Sequence, residues 1–501
     1  MGNKRYRTAE EVRNRAEEAI GHPFEEIFEL ARKFQKENGL KEKYGKGDIG
    51  QSFEEGWFNY ACNNVDKPDF EEAKVELKVT PYLINSKGYR AKERLTLGKI
   101  NYKEENWEEY EKSRFWVKNR HLIIMYYKFM KNISRKEYCI KKVDEILLEE
   151  LPERDKEIIR HDWEKIAETI KQGRAHELSE RDFMYLSPAR KGHGGDETVK
   201  YDERYPKAKP RAYSFKASYM TKLFNERMVA GKGSDSVLPE DVSLRDKGFD
   251  EVLLDTLKPY LGRTVESLKA EFPGLRKGYS IKNEIIKRIF NSTCDLEQTD
   301  EFQKANYRFR TITIDNLGMP REDMSFSVFD FNALVEEEWE ESVAFEEMID
   351  SKFLLAIFSE GEDGKEILNN CMIWYIPDKD IVKVKEVWEE TRRIINSGIE
   401  LKQCLTHDKQ GNPGFAYKNN FPKSNFNGVS HVRNKAAQSE YFKETVNSVR
   451  LGEPAKIILL EDIPDELKDV ETPTGEYMTK QCFWFNKKYI KNQIIDYIRK
   501  Y

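Results

Sequence analysis

The chain has 501 residues, 39% of them hydrophobic and 12% aromatic, so it is long enough for two or three domains with cores of their own. Charged residues make up 35% of it, and no apolar run reaches the roughly 18 residues of a membrane span, which argues against a membrane protein. The formal net charge of -5 argues only weakly against a nucleic-acid partner, because such a protein needs a local positive cleft and not a positive total.

The chain begins with a predicted amphipathic helix. Thr8 and Glu11 form a capping-box pair, and Val12, Ala16 and Ile20 fall on one helical face. The segment contains no apolar signal-peptide core, and the six cysteines of the chain stand apart without CxxC pairs. Both features favour a cytoplasmic protein with reduced thiols over a secreted protein with a disulfide framework.

The first half predicts helices followed by strands. We expect helices over about residues 8–37 and 48–63, strands over 72–80, 94–100 and 121–130, and a helix over 157–172 that Gly173 closes. Helices that flank a mixed central sheet make an α/β (α+β) domain.

Several short segments recur in the same order in the second half. The pairs are 20–27 with 261–268, Trp107 with Trp339, 163–173 with 388–398, and 214–219 with 484–489. Two homologous domains in tandem explain this order better than chance similarity does. We place them at 1–230 and 241–501, and we take 231–240, which is rich in Gly, Ser, Asp and Pro, as the linker.

Residues 68–78 carry the sharpest chemical signal. They read Pro-Asp, six intervening residues and then Glu-x-Lys, which sets Asp69, Glu76 and Lys78 at a fixed spacing. On a strand, residues two apart share a face, so Glu76 and Lys78 point together while Leu77 faces the core. A turn before the strand can bring Asp69 beside them. Two carboxylates and an ammonium on one face suit phosphodiester hydrolysis with Mg²⁺, a hard cation that oxygen ligands hold.

The same spacing also arises by chance in a chain with 90 acidic and 85 basic residues. Charged residues on a strand are commonly its solvated face, so a structural interpretation stays open beside the catalytic one. The context favours catalysis. A glycine-containing loop at 46–50 precedes Gln51 and enters a helix whose first turns carry Glu54.

This arrangement, Gly-Gln-x-x-Glu followed by Pro-Asp-x6-Glu-x-Lys, resembles the MutH family. That family comprises a mismatch-repair nicking nuclease and the larger two-domain type II restriction endonucleases that cut at GATC. The resemblance covers residues 8–225 and includes the segments 95–102, 113–127, 161–173 and 185–191. The length of the chain is that of the two-domain enzymes, so the resemblance implies two tandem restriction-endonuclease folds.

The resemblance implies roles for particular residues. Glu54, Asp69, Glu76 and Lys78 correspond to the family's catalytic set, in which the three carboxylates would hold Mg²⁺. Lys118 corresponds to an additional lysine near the scissile phosphate. A surface lysine before a buried strand is the alternative interpretation of Lys118.

Two loops are expected to contact DNA. In the first half, Arg190 and Lys191 correspond to the family's recognition loop, and lysine can donate to guanine in the major groove. A non-specific phosphate contact is the alternative for Lys191. The family loop often reads Arg-x-Lys, whereas Arg190 directly precedes Lys191, which leaves the register open by one residue. In the second half, Arg433-x-Lys435 fits that loop more closely.

The second half is expected to have lost its catalytic residues. Aligning the halves puts Ile285 where Glu54 stands, and puts Thr311 and Thr313 at the two catalytic strand positions. A site without acidic ligands cannot hold Mg²⁺ tightly. We therefore predict a domain that binds a second DNA site and stimulates cleavage by the first. A domain kept only for folding or clamping is the alternative.

The sequence thus predicts a Mg²⁺-dependent type II restriction endonuclease that cuts double-stranded DNA at GATC, before the G, and leaves 5′ overhangs. A palindromic site needs two cuts, so either two chains assemble on DNA or one chain acts twice. The expected partners are two copies of the GATC site and, in function, a host DNA methyltransferase. A MutH-like nicking repair nuclease and a non-catalytic DNA-binding regulator are the alternatives.

Overall fold

The computed structural model describes residues 5–40, 49–62, 67–85, 88–103, 107–190, 198–228, 235–238, 242, 244, 247–276, 280–361, 364–407, 413–460 and 473–500. The chain forms two units that alternate along it: the first comprises Met1–Thr256 and Ile289–Tyr307, and the second comprises Leu257–Arg288 and Arg308–Tyr501. The domain bounds 1–230 and 241–501 stay a prediction, and of the predicted linker 231–240 the structure describes residues 235–238.

The helices are α1 (Ala9–Glu18), α2 (Phe24–Glu37), α3 (Ile49–Ser52), α4 (Arg114–Asn119), α5 (Glu153–Lys171), α6 (Ala217–Met228), α7 (Phe249–Leu257), α8 (Val265–Glu271), α9 (Ile281–Ile289), α10 (Asp300–Ala305), α11 (Phe331–Glu336), α12 (Asp378–Ser397) and α13 (Lys487–Lys500). A π-helix over Phe53–Trp57 continues α3, and a second π-helix spans Phe345–Ile349. In the described part of the chain, no helix combines the length and apolarity that crossing a bilayer requires.

The strands are β1 (Glu76–Asn85), β2 (Gly88–Ala91), β3 (Leu95–Lys99), β4 (His121–Lys128), β5 (Ile140–Leu147), β6 (Leu186–Arg190), β7 (Arg211–Phe215), β8 (Tyr307–Ile314), β9 (Met324–Val328), β10 (Lys352–Glu360), β11 (Glu366–Trp374), β12 (Ile399–His407), β13 (Pro413–Asn419), β14 (Ser430–Asn434), β15 (Ser448–Arg450), β16 (Ile457–Leu459), β17 (Tyr477–Thr479) and β18 (Gln481–Phe485).

The first unit is built on two sheets. One has the order β2-β1-β4-β5, with β1 parallel to β4 and β5 antiparallel to β4, and the other is antiparallel with the order β3-β7-β6. Leu77, Ile123 and Met125 lie in one apolar core with side chains of α1 and α2. Burial of a large apolar side chain contributes about 1.5–3 kcal/mol. Because side chains alternate along a strand, burying Leu77 on this face sends Glu76 and Lys78 to the other.

The second unit repeats this layout. Its sheets have the orders β11-β10-β8 and β14-β18-β9, which match β5-β4-β1 and β6-β7-β3 strand for strand. It adds a sheet of order β13-β12-β16 and the pair β15-β17. Both units combine helices with sheets of this kind, so the predicted α/β architecture is confirmed.

Two pairs of left-handed residues fix the register between the repeats. Asn59 and Asn291 have φ angles of 52° and 51°, and Lys74 and Asn306 have φ angles of 58° and 55°. The members of each pair are 232 residues apart in the chain. A non-glycine residue in this region is uncommon, so two such coincidences at one spacing define the alignment.

The alignment predicted from the sequence is therefore wrong at the catalytic positions. Ile285, Thr311 and Thr313 do not stand where it places them. The corresponding pairs are Glu54 with Ile286, Glu76 with Arg308, and Lys78 with Arg310. The sequence pattern does not reveal which residues adopt the left-handed conformation. Without them, nothing in the sequence determines where gaps belong in the alignment of the two halves.

Two predicted helices have different bounds in the structure. The predicted helix 8–37 is divided into α1 and α2, because Gly21 adopts a left-handed φ of 87° between them. The predicted helix 48–63 ends with the π-helix, and Gly56 within it would place an added Cβ only 2.5 Å from the Ile27 carbonyl oxygen. The predicted strands 94–100 and 121–130 and the helix 157–172 are confirmed as β3, β4 and α5.

A buried ion pair joins the segment Ile289–Tyr307 to the rest of the first unit. Lys304 in α10 donates to both oxygens of Asp155 in α5 at 2.8 Å, and the Tyr219 hydroxyl in α6 donates to the same carboxylate at 3.2 Å. Both charged side chains are buried. Burial raises the pKa of Asp155 to about 6, and the Lys304 ammonium opposes that rise. The charge of Asp155 therefore depends on Lys304.

Replacing Lys304 with Met should destabilise the first unit by about 3–5 kcal/mol, because it leaves a buried carboxylate without its cation. The pKa of Asp155 is higher in the folded than in the unfolded chain, so the folded state binds the proton more tightly and stability falls as pH rises. Losing the cation extends this effect, so the destabilisation should be larger at about pH 8 than at about pH 5.

Urea unfolding of the full chain at both pH values measures this loss. The matched control is Lys385→Met, which removes an exposed partner 3.6 Å from Glu389 and should change stability by less than about 1 kcal/mol. Equal losses in the two variants would contradict the structural role of Lys304.

Candidate active site

A tight turn ahead of β1 brings Asp69 beside the strand. The backbones of Phe70 and Val75 exchange two hydrogen bonds, at 2.9 and 3.2 Å, and Lys74 closes the turn in the left-handed region. This turn takes up the first residues of the predicted strand, which therefore begins at Glu76. The local fold thus supplies the turn that the spacing of the motif requires.

Asp69 and Glu76 interlock through backbone hydrogen bonds. The Asp69 N–H donates to Glu76 Oε2 at 3.1 Å, and the Leu77 N–H donates to Asp69 Oδ2 at 3.0 Å. Asp69 is 8% exposed and Glu76 is 1% exposed. A hydrogen bond to a charged group contributes about 1.5–3 kcal/mol. The two buried carboxylates are therefore held side by side in defined orientations.

Two lysines from different elements form ion pairs with Glu76. Lys78 Nζ lies 2.5 Å from Glu76 Oε1, and Lys118 Nζ, from α4, lies 2.9 Å from Glu76 Oε2 and 3.9 Å from Asp69 Oδ1. The Lys118 ammonium also donates to the Lys67 carbonyl at 2.8 Å. The structure thus brings together four of the predicted site residues, and Lys118 belongs to this cluster rather than to the solvated surface.

The position of Lys118 follows from its helix and from the strand that it crosses. Ser113 begins α4: its hydroxyl donates to the Tyr110 carbonyl at 2.6 Å and accepts from the Trp116 N–H at 3.1 Å. Gly98 lies at a bulge of β3 with a φ of 133°, and an added Cβ there would stand 3.6 Å from Lys118 Cδ. Glycine adopts this backbone conformation without strain, and the stem of Lys118 passes beside it on the way to Glu76.

Glu54 is the third carboxylate of the cluster. Burial raises its pKa to about 8, and the negative charges of Asp69 and Glu76 add to the rise. Burial also raises the pKa of Asp69 to about 6, with Glu76 adding to the rise and Lys78 and Lys118 opposing it. Crowded carboxylates bind protons more tightly because their negative charges repel. The three acidic residues predicted from the sequence therefore interact in the folded chain.

Sequence reasoning missed the neighbours of Glu54. The Cys62 thiol is hydrogen bonded to the Glu54 carboxylate, and burial together with the charge of Glu54 raises the pKa of that thiol. A cysteine outside any motif gives no signal in the sequence. The adjacent Glu55 accepts from Gln51 at 2.8 Å and from Gln35 at 2.6 Å. Gln51 of the Gly-Gln-x-x-Glu pattern therefore secures Glu55, and Glu54 is the carboxylate that belongs to the cluster.

The donor chemistry of the cluster fits a hard divalent cation. Glu54, Asp69 and Glu76 offer carboxyl oxygens, which such cations prefer, and a bound cation would favour the deprotonated form of Glu54, whose pKa burial raises. Among the described residues, no three acidic, His or Cys side chains stand at the mutual distances of a preformed metal site. In this structure both oxygens of Glu76 are paired with lysines. A metal ion would share these carboxylates with Lys78 and Lys118.

The predicted DNA-contacting residues of the first unit are described only in part. Arg190 ends β6 and is exposed, while Lys191 lies outside the described residues. The pairing of β6 with β7 begins at Leu186 and Phe215, and the corresponding pairing of β14 with β18 begins at Ser430 and Phe485. In this register Lys191 corresponds to Lys435, and Ala189 stands where Arg433 stands. Arg190 therefore occupies the middle position of the family's Arg-x-Lys pattern.

In the second unit the corresponding loop presents a cation on an aromatic ring. The Arg433 side chain is 62% exposed, lies 3.5 Å from Asp323 and stacks 5.4 Å from the centre of the Trp484 ring. Lys435 donates to the Phe326 carbonyl. A guanidinium held against an indole at a sheet edge suits contact with nucleic acid. The DNA-binding roles of these residues stay predictions.

Comparison with known proteins identifies the family. A sequence profile described as DNA mismatch repair enzyme MutH matches residues 58–162. The type II restriction enzyme Sau3AI of Staphylococcus aureus is 32% identical over 509 aligned positions, which cover 98% of this chain and 99% of that protein. The chain belongs to the Sau3AI-like, MutH-related restriction endonucleases.

Membership of the Sau3AI-like family settles the general activity and the fold. The chain is a site-specific endonuclease that acts on double-stranded DNA, and its MutH-like region has the restriction-endonuclease fold. The region matched by the MutH profile contains Asp69, Glu76, Lys78 and Lys118, whereas Glu54 precedes it. The buried cluster therefore lies in the nuclease part of the chain.

Replacing Glu76 with Gln should lower the rate of DNA cleavage by about 10²- to 10³-fold or more, because it removes the charge that Lys78 and Lys118 share. Binding of duplex DNA should be retained, since the substitution is buried. Plasmid cleavage and duplex binding, measured on the same preparation, test this expectation.

The matched control is Glu72→Gln in the same turn, whose side chain is 51% exposed and 3.9 Å from Arg5 and from Arg7. It should cleave at the unmodified rate. A Glu76→Gln enzyme as fast as this control would rule out the cluster as the catalytic centre.

Proposed function

We propose that this endonuclease cuts both strands of DNA at GATC, before the G, by Mg²⁺-dependent hydrolysis, and that its second unit binds another GATC site as an effector. The observation that carries the proposal is the buried cluster in which Asp69 and Glu76 meet Lys78 and Lys118. The resemblance of the sequence to GATC-cutting enzymes of two-domain length supports the recognition site and the role of the second unit.

Glu54, Asp69 and Glu76 are the residues that would hold Mg²⁺. When bound, the ion supplies a Lewis acid that polarises the phosphate and lowers the pKa of a water molecule. The protein contributes the fixed positions of the carboxylates, which the Asp69 and Leu77 N–H groups secure. Removing the Asp69 carboxylate therefore removes both a ligand and an acceptor for the strand.

Lys78 acts as a cation in this mechanism. Burial alone would lower its pKa, but the attraction of Glu76 and Asp69 outweighs burial and the pKa is raised. An ammonium that keeps its proton cannot accept one from water. Lys78 therefore orients the attacking water and offsets the negative charge that develops on the phosphate. Lys118, held by Glu76 and the Lys67 carbonyl, adds a second positive charge.

The two-unit length favours cutting of both strands over MutH-like nicking, which is the second candidate. A palindromic site needs two cuts, so we expect two chains to assemble on DNA or one chain to act twice. A cognate methyltransferase would protect host DNA as a functional partner. We place the enzyme in the cytoplasm, in keeping with its six cysteines, all described, which form no disulfide.

Digestion of methylation-free plasmid with Mg²⁺, followed by sequencing of the fragment ends, tests the proposed reaction. We expect every end to begin at the G of GATC and EDTA to stop the reaction. Asp69→Asn is the inactive control, because it removes a carboxylate of the cluster. Nicked circles without linear DNA would instead support the nicking nuclease, and ends at another sequence would refute GATC.

Replacing both Arg433 and Lys435 with Ala should slow cleavage of DNA that carries two GATC sites by about 5- to 150-fold, the usual range of coupling between binding sites. Cleavage of one-site DNA should change much less, because no second site is engaged there. Cleavage rates on matched one-site and two-site plasmids measure the difference.

The control for that variant removes two positive charges from the outer face of α12 by replacing Lys385 and Arg393, whose side chains are 43% and 64% exposed, with Ala. It should keep the preference for two-site DNA. If the Arg433 and Lys435 variant also kept that preference, the effector role of this loop would be wrong.

A further inference from the structure

One face of the sheet β14-β18-β9 gathers four functional groups. His431 of β14 pairs with Trp484 of β18, and such cross-strand partners share a face of the sheet. Arg433 follows His431 by two residues, so it belongs to the same face. Ser325 of β9 also pairs with Trp484, and Asp323 precedes Ser325 by two residues. The sheet therefore places an indole, an imidazole, a guanidinium and a carboxylate together.

The carboxylate of Asp323 links the start of a helix to Arg433. Its Oδ1 accepts the N–H of Lys487, the first residue of α13, at 2.8 Å. Its Oδ2 lies 3.5 Å from a guanidinium nitrogen of Arg433 and 3.7 Å from Nε2 of His431. One oxygen thus caps a helix of 14 residues, which fixes the carboxylate, and the other oxygen faces the arginine.

His431 leaves the charge of Asp323 to Arg433. The amide of Asn486 donates to the Ser424 carbonyl at 2.8 Å, so its oxygen faces His431 and accepts from Nδ1. The neutral imidazole therefore has its proton on Nδ1, and Nε2, beside Asp323, carries none. Burial lowers the pKa of His431, and Asp323 opposes this fall. At neutral pH His431 is uncharged and does not compete with the guanidinium for the carboxylate.

The ring of Trp484 restricts Arg433 from a second side. The guanidinium lies 5.4 Å from the centre of the ring, and the indole N–H donates to the Arg433 carbonyl at 3.2 Å. A planar guanidinium that stacks on an aromatic ring keeps its N–H groups directed outward in its own plane. The ring and the carboxylate thus limit the orientations of this exposed side chain. A side chain that is ordered before binding loses less entropy when it binds.

The first unit has a different surface at the matching positions. Strands β6 and β7 pair Ser187 with Ser214, where β14 and β18 pair the histidine with the tryptophan. Ala189 takes the place of the arginine. Arg94 takes the place of the carboxylate and pairs with Glu180 instead. The held arginine therefore belongs to the second unit and not to the repeated fold.

The charge of Asp323 favours a base edge over a phosphate as the ligand of Arg433. A carboxylate 3.5 Å from the guanidinium offsets its attraction for a phosphate anion and itself repels that anion. The edge of a guanine has no net charge and offers O6 and N7 as acceptors in the major groove. A guanidinium has five N–H groups, so it can donate to both atoms while another N–H faces Asp323. The pair therefore suits the recognition of guanine.

We propose that Asp323, assisted by Trp484, positions Arg433 to donate to a guanine of the second DNA site and so determines the sequence preference of the second unit. Asp323 is a positioning residue, because it acts through Arg433 without touching DNA. The inference rests on the proposed function, which takes GATC as the site that this unit binds. It adds that recognition of this site depends on a carboxylate held at the start of α13.

A double-mutant cycle of duplex binding tests this role. The protein is the full chain with Asp69→Asn, which keeps it from cutting, and the variants add Asp323→Asn, Arg433→Gln or both. An asparagine oxygen still accepts the Lys487 N–H, so Asp323→Asn removes the charge and keeps the helix cap. The two ligands are a GATC duplex and the same duplex with 7-deazaguanine at the site, which lacks the N7 acceptor. The first unit is identical in all four proteins, so its own guanine contacts cancel in the cycle.

We expect Asp323→Asn to lower the preference for guanine over 7-deazaguanine by about 5-fold or more, within the range of one bidentate base contact. Its affinity for the 7-deazaguanine duplex should stay equal or rise, because a negative charge is removed near DNA. Arg433→Gln, at a side chain that is 62% exposed, should fold normally and lose the same preference. The double variant should lose no more preference than Arg433→Gln alone, because Asp323 acts through that arginine.

The matched control is Glu390→Gln, which removes a carboxylate 2.6 Å from Arg393 on α12 and should keep the preference. An unchanged preference in Asp323→Asn, or equal losses of affinity for the two duplexes, would overturn the proposal. So would a double variant that loses more preference than Arg433→Gln alone. Plasmid digestion decides the proposed function separately, so fragment ends at GATC combined with additive losses in the cycle would refute only the positioning role.

Discussion

Both oxygens of the Glu76 carboxylate are engaged at once, one by Lys78 and the other by Lys118 and the Asp69 N–H. These partners come from a strand, a helix and a turn, so one buried charge fixes the relative positions of three elements. Removing a partner from a buried pair costs about 3–5 kcal/mol, which makes the formation of these elements interdependent. The cluster that is proposed to hydrolyse phosphodiesters thus also stabilises this corner of the first unit.

The second unit has the same arrangement of strands and helical segment, but the charged residues at this position differ from those of the first unit. Its strand orders repeat those of the first unit, and Ser342 begins a helical segment through the same kind of hydrogen bond as Ser113. Arg308 and Glu347 preserve the ion pair that links strand and helix, but with opposite signs. This fold has an ion pair between strand and helix at this position, and either element can carry the positive charge. Only the polarity of the first unit leaves the carboxylates that are proposed to hold a metal ion.

The sequence predicted the cluster well and its surroundings poorly, for physical reasons. The period of two along a strand places Glu76 and Lys78 on one face, and Pro-Asp predicts the turn. The left-handed conformation of Lys74 leaves no mark in an amphipathic pattern, so the start of β1 was placed too early and the repeat was misaligned. The pair of Lys304 with Asp155 joins residues far apart in the chain, and no local pattern reports such a contact.

The carboxylates beside β1 are proposed to bind a divalent cation, and β8, which carries Arg308 and Arg310 at the corresponding positions, is not. Electron paramagnetic resonance of the full chain titrated with Mn²⁺ measures this directly, with no need for cleavage. We predict tight Mn²⁺ binding that disappears in Asp69→Asn and persists in Arg310→Gln. Mn²⁺ binding that survives Asp69→Asn unchanged would contradict the account, because the ion would then be held by other residues.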